Sequence, residues 1–172
     1  MQKHEQFWQD LKSGKFASMV CECAKGQQLS NSSEVYNIMK PLFAQHRDVE
    51  SFYCIFMDAK NHIIFIEKMF SGSIASAPVY PREVVKRLIA LQASALIAAH
   101  NHPTGDTTPS REDMAITSRI YLAAACIDVK LHDHMIVGNG YLSMADNGMV
   151  NEIASRFDAL LRSNWNPERR TV

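Results

Sequence analysis

No apolar run in this sequence approaches the ~20 residues that a membrane-spanning helix requires. The opening stretch, MQKHEQFWQDLKSGKF, holds no apolar segment of signal-peptide length either. No membrane association is expected, and the cytoplasm is the expected location. Net charge is also missing, since 18 Lys and Arg balance 18 Asp and Glu. Wide, nonspecific nucleic-acid binding needs a net basic surface and is disfavoured, although a local patch stays open. Cysteine is scarce: Cys21, Cys23, Cys54 and Cys126. Cys21-Glu-Cys23 has no second pair at a useful spacing, so a cysteine-built metal site is not expected. Cys54 and Cys126 lie in apolar, strand-like runs and read as small buried hydrophobes. No internal repeat or low-complexity linker is visible. What is plentiful is apolar surface, at 47% of 172 residues. A domain of that size can bury roughly 70% of its unfolded surface without a disulfide or other staple.

The periodicities order the chain. Residues 3–13 suit a short amphipathic helix stopped by Gly14, and residues 15–31 read as irregular. Val35, Ile38, Met39, Leu42 and Phe43 recur at helical spacing, with Ser32 or Ser33 as the cap. Pro41 inside that pattern should kink or break the helix. SFYCIFMD and HIIFIEKMF, joined by the turn-like DAKN, form a hairpin. A helix begins at Pro81, ALIAA is a short buried strand, and another helix runs from Ser110 to about Ala125. CIDVKL and DHMIVG read as two strands, followed by a GNG turn and a short strand at Tyr141–Ser143. Met149, Ile153, Phe157, Leu160 and Leu161 mark a last helix. This order implies an α/β (α+β) fold, a mixed β-sheet flanked by helices. The expected organisation is an N-terminal helical extension over 1–30, a catalytic domain over 31–162 and a flexible tail over 163–172.

The stretch AAHNHPTGDTTPSRED carries the chemistry. His100 and His102 point to the same side of an extended segment, because side chains alternate with period two. Two prolines and Gly105 stiffen and bend the loop that follows, which can return the helix start toward the histidines. Asp113, in the first turn of that helix, would complete three ligands of a hydrolytic zinc site and leave one position for water. Each piece also has a plain alternative. Ser110-Arg-Glu-Asp113 matches a helix capping box, and a second H-x-H occurs at His132 and His134.

The full pattern, H-x-H followed by seven residues and S-x-x-D, resembles the zinc motif of the JAMM, or MPN+, metalloproteases. AHNHPTGDTTPSREDMAIT, VYPREVVKRLI and HDHMIVG resemble the bacterial RadC-like branch of that superfamily, over roughly residues 30–148. The resemblance implies an MPN/JAB-like fold. It implies Zn2+ held by His100, His102 and Asp113, with Ser110 assisting the oxyanion and Glu50 as general base. Glu67 and Glu83 compete for that last role; Glu83 is equally explained by its place in a first helical turn. Asn101 should face away from the metal and orient the loop. Asp133 or His134 would hydrogen-bond a ligand histidine. Tyr80, Pro81 and Arg82 would line the substrate groove or only start a helix.

The expected function is a zinc metallopeptidase or isopeptidase in which water activated by the cation attacks an amide carbonyl. Its partner would be a protein or peptide substrate, a ubiquitin-like conjugate included, and a homodimer through edge strands is conceivable. The alternative is a DNA-repair or DNA-processing accessory role of RadC type. The neutral charge speaks against it, as does the lack in residues 1–30 of anything like the helix-hairpin-helix module of longer relatives. A third reading is a binding module whose zinc is structural or absent. A deaminase is rejected, since H-x-E with a later P-C-x-x-C is missing.

Overall fold

The computed structural model describes residues 9–10, 13–44, 48–72 and 79–164. Among the described residues the elements follow one another as α1 (Lys15–Ala24), α2 (Ser32–Phe43), β1 (Ser51–Met57), β2 (Ile63–Ser71), α3 (Pro81–Ala90), β3 (Ala95–Asn101), α4 (Arg111–Ala125), β4 (Lys130–Val137), β5 (Tyr141–Ser143) and α5 (Met149–Asn164). The strands form one mixed sheet in the order β2-β1-β3-β4-β5. Only β3 and β4 run parallel, with α4 as their crossover; the other three pairs are antiparallel. This is the expected α/β architecture. Among the described residues, no helix is long and apolar enough to cross a membrane.

All seven residues of β1 and all seven of β3 are buried, as central strands covered on both faces should be. Period-two alternation then divides the core. Tyr53, Ile55, Met57, Ala95, Ile97 and Ala99 pack on one face with Val35, Met39 and Leu42 of α2. Phe52, Cys54, Phe56, Leu96 and Ala98 pack on the other with Val84 and Leu88 of α3 and Ile116 and Ile120 of α4. His100 continues the second set. Strand parity therefore aims its side chain toward α4, the helix that carries Asp113.

Several expectations are corrected. Residues 15–24 are helical rather than irregular, because Ala17, Val20, Cys21 and Ala24 give a stripe that packs against the α2 face of the sheet. The cap of α2 is Asn31, not Ser32 or Ser33: its Oδ1 accepts from Glu34 N–H at 3.0 Å, and the Glu34 carboxylate accepts from Ser30 N–H at 2.8 Å. Pro41 does not break α2. It stands in the last turn, where the missing N–H removes a single ladder bond, and the helix continues to Phe43. CIDVKL and DHMIVG are not two strands. One strand, β4, spans Lys130–Val137, because nothing between Leu131 and Asp133 turns the chain. Cys54 is buried as expected, but Cys126 is exposed at the end of α4. The helix expected at 3–13 lies largely outside the described residues, as does most of the tail expected at 163–172.

The loop between β3 and α4 is locked to the turn after β4. Asn139 N–H donates to Gly105 C=O at 2.9 Å, and His102 N–H donates to Val137 C=O at 2.8 Å. Gly105 adopts φ +84°, and a Cβ on Gly138 would sit 2.3 Å from the Gly105 carbonyl oxygen. A backbone atom that close cannot swing aside. Gly138→Ala is expected to cost at least the 1–3 kcal/mol usual for overpacking. In a domain of roughly this size, that lowers the thermal midpoint by about 2–4 °C per kcal/mol, measurable by calorimetry. An unchanged midpoint would show that the two turns are not packed this tightly.

Candidate metal centre

Four side chains from three places in the sequence converge. One ligand atom each from Glu50, His100, His102 and Asp113 lies within 4.8 Å of all the others. His100 Nε2 and His102 Nε2 are 2.9 Å apart. Asp113 bridges them, with Oδ1 3.2 Å from His100 Nε2 and Oδ2 3.3 Å from His102 Nε2. Bonds of ~2.0–2.1 Å from a tetrahedral zinc would set ligand atoms roughly 3.3 Å apart. The His–His spacing and the two His–carboxylate spacings, each to a different oxygen of Asp113, are of that order, so the donor set fits a zinc-sized cation.

Local structure explains each placement. β3 ends at Asn101, and His102 follows while the chain is still tied to Val137. The His102 ring is fixed by Nδ1–H donation to Asp106 C=O at 2.7 Å, so a neutral His102 presents a bare Nε2. His100 places Nδ1 2.8 Å from His134 Nε2, under the ring of Phe52. Asp113 is held by a reciprocal capping box: Ser110 Oγ accepts from Asp113 N–H at 3.0 Å, and Asp113 Oδ2 accepts from Ser110 N–H at 2.8 Å. Ser110 Oγ–H also donates to Asp113 Oδ2 at 2.7 Å. Capping and carboxylate placement are thus one structure, and the two readings of the S-x-x-D segment are compatible.

The electrostatics suit a positive occupant. A hydrogen bond to Asp113 raises the His102 pKa; burial opposes it, while the Asp106 carbonyl and the charges of Asp113 and Glu50 add to it. Burial pushes the Asp113 carboxyl up. Its contacts with the His100 and His102 rings and with the Ser110 hydroxyl outweigh that and hold it well below the carboxylate range. With His102 Nδ1–H committed to Asp106, a proton on Nε2 occupies the same corner a metal would.

The remaining candidates sort by geometry. Glu50 is half-buried just before β1, and its carbonyl accepts from Gly72 N–H at 2.8 Å. Asn101 does face away from the cluster, and it grips the chain on either side of Glu50. Its Oδ1 accepts from Ser51 N–H at 2.8 Å and its Nδ2–H donates to Val49 C=O at 3.1 Å. Sequence reasoning left it with the loop alone; the spacing to β1 carried no local signal. Glu67 pairs with Arg87, and Glu83 with Lys86 and Arg82, away from the cluster. Of the Asp133–His134 pair, His134 reaches the ligand. Asp133 instead accepts from Ser143 Oγ and Ala145 N–H. His132 Nε2–H donates to Asn61 Oδ1 at 2.8 Å. Tyr80, Pro81 and Arg82 line a separate surface groove with Arg119, Leu122, Ala123 and Cys126, a groove that includes none of the four clustered residues. The cleft that does open beside His102 has a volume of about 300 Å³ and runs between α2 and the turns after β3 and β4, past Tyr36, Lys40, Phe43 and Asn139.

A family model described as "RadC-like JAB domain" matches residues 29–149. A UPF0758 protein of Rhodobacter capsulatus is 50% identical over 106 residues, covering 61% of this chain and 50% of that protein. A UPF0758 protein of Thioalkalivibrio sulfidiphilus is 42% identical over 129 residues, covering 74% of this chain and 56% of its own length. One from Legionella pneumophila is 42% identical over 125 residues, covering 72% and 55%. The chain spans about half the length of these relatives.

Two outcomes are expected. Metal must displace a proton from His102 at any pH below its raised pKa, while Asp113 stays ionised. Zinc affinity should therefore weaken as pH falls, beginning above the ordinary histidine value of ~6.5. Titrations over roughly pH 5–8 check this, and a flat profile would contradict it. Asn101→Ala leaves the buried Ser51 N–H unpaired and should lower stability by about 1–3 kcal/mol. It should also speed hydrogen exchange at Ser51; unchanged exchange would show that the amide does not hold that strand start.

Proposed function

The chain belongs to the RadC-like JAB domain family, and from that premise we propose that it is a zinc-dependent hydrolase of amide bonds, a peptidase or isopeptidase. The observation that carries this reading is the three-ligand cluster with a fourth, carboxylate-bearing residue within 4.8 Å. A structural zinc site is closed by four protein ligands of the Cys and His type. Three His and Asp ligands with a nearby base are the arrangement of a hydrolytic one. A bound zinc supplies Lewis acidity that brings the pKa of water from 15.7 toward ~7.

The residues of the chain do the rest. Glu50 accepts the proton of the attacking water and delivers it to the leaving amine, so protons balance over the reaction. Asn101 holds Val49 and Ser51 and thereby sets the reach of Glu50. Ser110 can donate to the developing oxyanion only after rotating its hydrogen away from Asp113 Oδ2. A donor of that kind contributes roughly 3–4 kcal/mol in acyl-transfer sites. His100 and Asp113 are almost fully enclosed, whereas His102 borders the 300 Å³ cleft. The substrate therefore enters from the His102 side as a short, extended length of chain. A protein or peptide with an unstructured segment, a ubiquitin-like conjugate among them, meets that requirement.

Glu50→Gln should keep zinc binding of about one ion per chain and lose hydrolysis, whereas His102→Ala should lose the metal. Incubating the Glu50→Gln protein with a bacterial lysate and identifying what co-purifies by mass spectrometry supplies the substrate for the assay. Full hydrolysis of that substrate by Glu50→Gln protein would remove Glu50 from the mechanism. Metal-dependent DNA cleavage that vanishes in His102→Ala protein, without any amide hydrolysis, would replace the peptidase reading.

A further inference from the structure

Behind the cluster runs a chain of buried polar groups that none of these steps uses. His134 and Thr117 are 0% and 1% exposed. Thr117 stands one helical turn after Asp113 in α4, and its Oγ1 lies 2.6 Å from the Asp113 carbonyl oxygen. The same hydroxyl is in short contact with His134 Nδ1. His134 Nε2 in turn meets His100 Nδ1 at 2.8 Å. Two metal-ligand residues from different elements, Asp113 and His100, are thus joined from behind through Thr117 and His134.

The donors and acceptors in this chain have only one consistent order. A carbonyl accepts and never donates, and at 2.6 Å the Asp113 carbonyl outcompetes the weakly accepting Met144 sulfur at 3.5 Å, so the single hydroxyl hydrogen of Thr117 goes to Asp113 C=O. Toward His134 the Thr117 oxygen must then accept, which places a proton on His134 Nδ1. The nitrogens of His134 face a hydroxyl and another imidazole, and its ring packs edge-on to Phe52. A second proton there would leave a buried charge with no anion bonded to it. His134 Nε2 is therefore bare and accepts from His100 Nδ1–H. That order leaves His100 Nε2, the atom facing His102 and Asp113, without a proton.

We propose that Thr117 is a positioning residue for the metal centre: acting through His134, its hydroxyl fixes His100 in the tautomer whose Nε2 is free to bind a cation. The proposal rests on the reading that the cluster holds zinc. Ligand histidines commonly donate to a carboxylate or a carbonyl, which can only accept. An imidazole in that place could serve either way round, so something must set its direction, and the Thr117 hydroxyl does so.

A β-bulge makes the arrangement possible. In the β3–β4 pairing, Leu96 opposes Leu131 but Ile97 opposes Asp133, so His132 is skipped. Without the extra residue, His134 would oppose Ala99 and its side chain would lie on the α2 face. With it, His134 opposes Ala98 and shares the face of His100 and α4.

Thr117→Val keeps the shape and removes the hydroxyl. His134 Nδ1–H then has no acceptor, its proton can move to Nε2, and His100 is driven to protonate the very nitrogen that would bind metal. Zinc affinity should fall about 10–100-fold, the range seen on removing such outer partners, and Thr117→Ser should restore most of it. Nitrogen-15 NMR of the histidine rings in the metal-free wild type is independent of any variant's folding. It should show both His134 and His100 protonated at Nδ1. A proton on Nε2 of either ring, or wild-type zinc affinity in Thr117→Val protein, overturns the proposal. A wild-type protein that binds no zinc would sink the metal-centre reading instead, while the ring signals would still report the direction of the chain.

Discussion

Two imidazole nitrogens 2.9 Å apart, with one carboxylate spanning both, is an arrangement that needs positive charge at its centre. Lone pairs and a carboxylate oxygen repel one another across that distance unless a proton or a metal ion sits among them. Little water reaches the site, since His100 and Asp113 are essentially buried, so screening is weak and the demand is strong. The architecture around the cluster answers this one constraint. The sheet aims His100, the loop turns His102 back onto it, and the capped first turn of α4 closes the triangle with Asp113.

The scaffold achieves this by making each functional group part of an ordinary structural device. Asp113 is the far member of a capping box, so the bonds that start α4 also orient the carboxylate. Asn101 ends β3 and at the same time fastens the beginning of β1 around Glu50. Gly105 and Gly138 let two turns touch backbone to backbone, which anchors the His102 loop. Loss of any of these devices would disturb stability and site together. A cleft of about 300 Å³ lies beside His102, between α2 and the turns after β3 and β4; of the four clustered residues, His102 is the one that lines it.

The candidate cluster gathers at the end of the buried β3, with His100 on the strand, His102 on the loop just after it and Asp113 on α4. A rigid central strand holds ligand atoms to within a few tenths of an ångström, which metal coordination demands and a loop does not supply. Residues 29–149, which fit the family model, include all four residues of the candidate metal cluster.

Much of this was legible in residue order alone. The β1–β2 hairpin, α3, α4 and β5 follow from alternation, proline placement and apolar spacing. His100, His102 and Asp113, which the fold brings together, were marked by a spaced pattern of ligand types, and Glu50 and Ser110 by the resemblance to the family. Local patterns failed where contacts distant in sequence decided the outcome. α1 is helical because Ala17, Val20 and Ala24 have a sheet face to cover, and α2 tolerates Pro41 because it falls in the final turn. Cys126 is exposed because it caps the end of α4 and does not enter a strand. The role of Thr117, the grip of Asn101 on the start of β1 and the choice of His134 over Asp133 were invisible for a related reason. Each depends on which atoms lie across a strand pair or a helix–sheet seam, and a single bulge at His132 moves a side chain from one face to the other. Residue types and their intervals determined what could bind a metal; the register of β3 against β4 decided which nitrogen is free to do so.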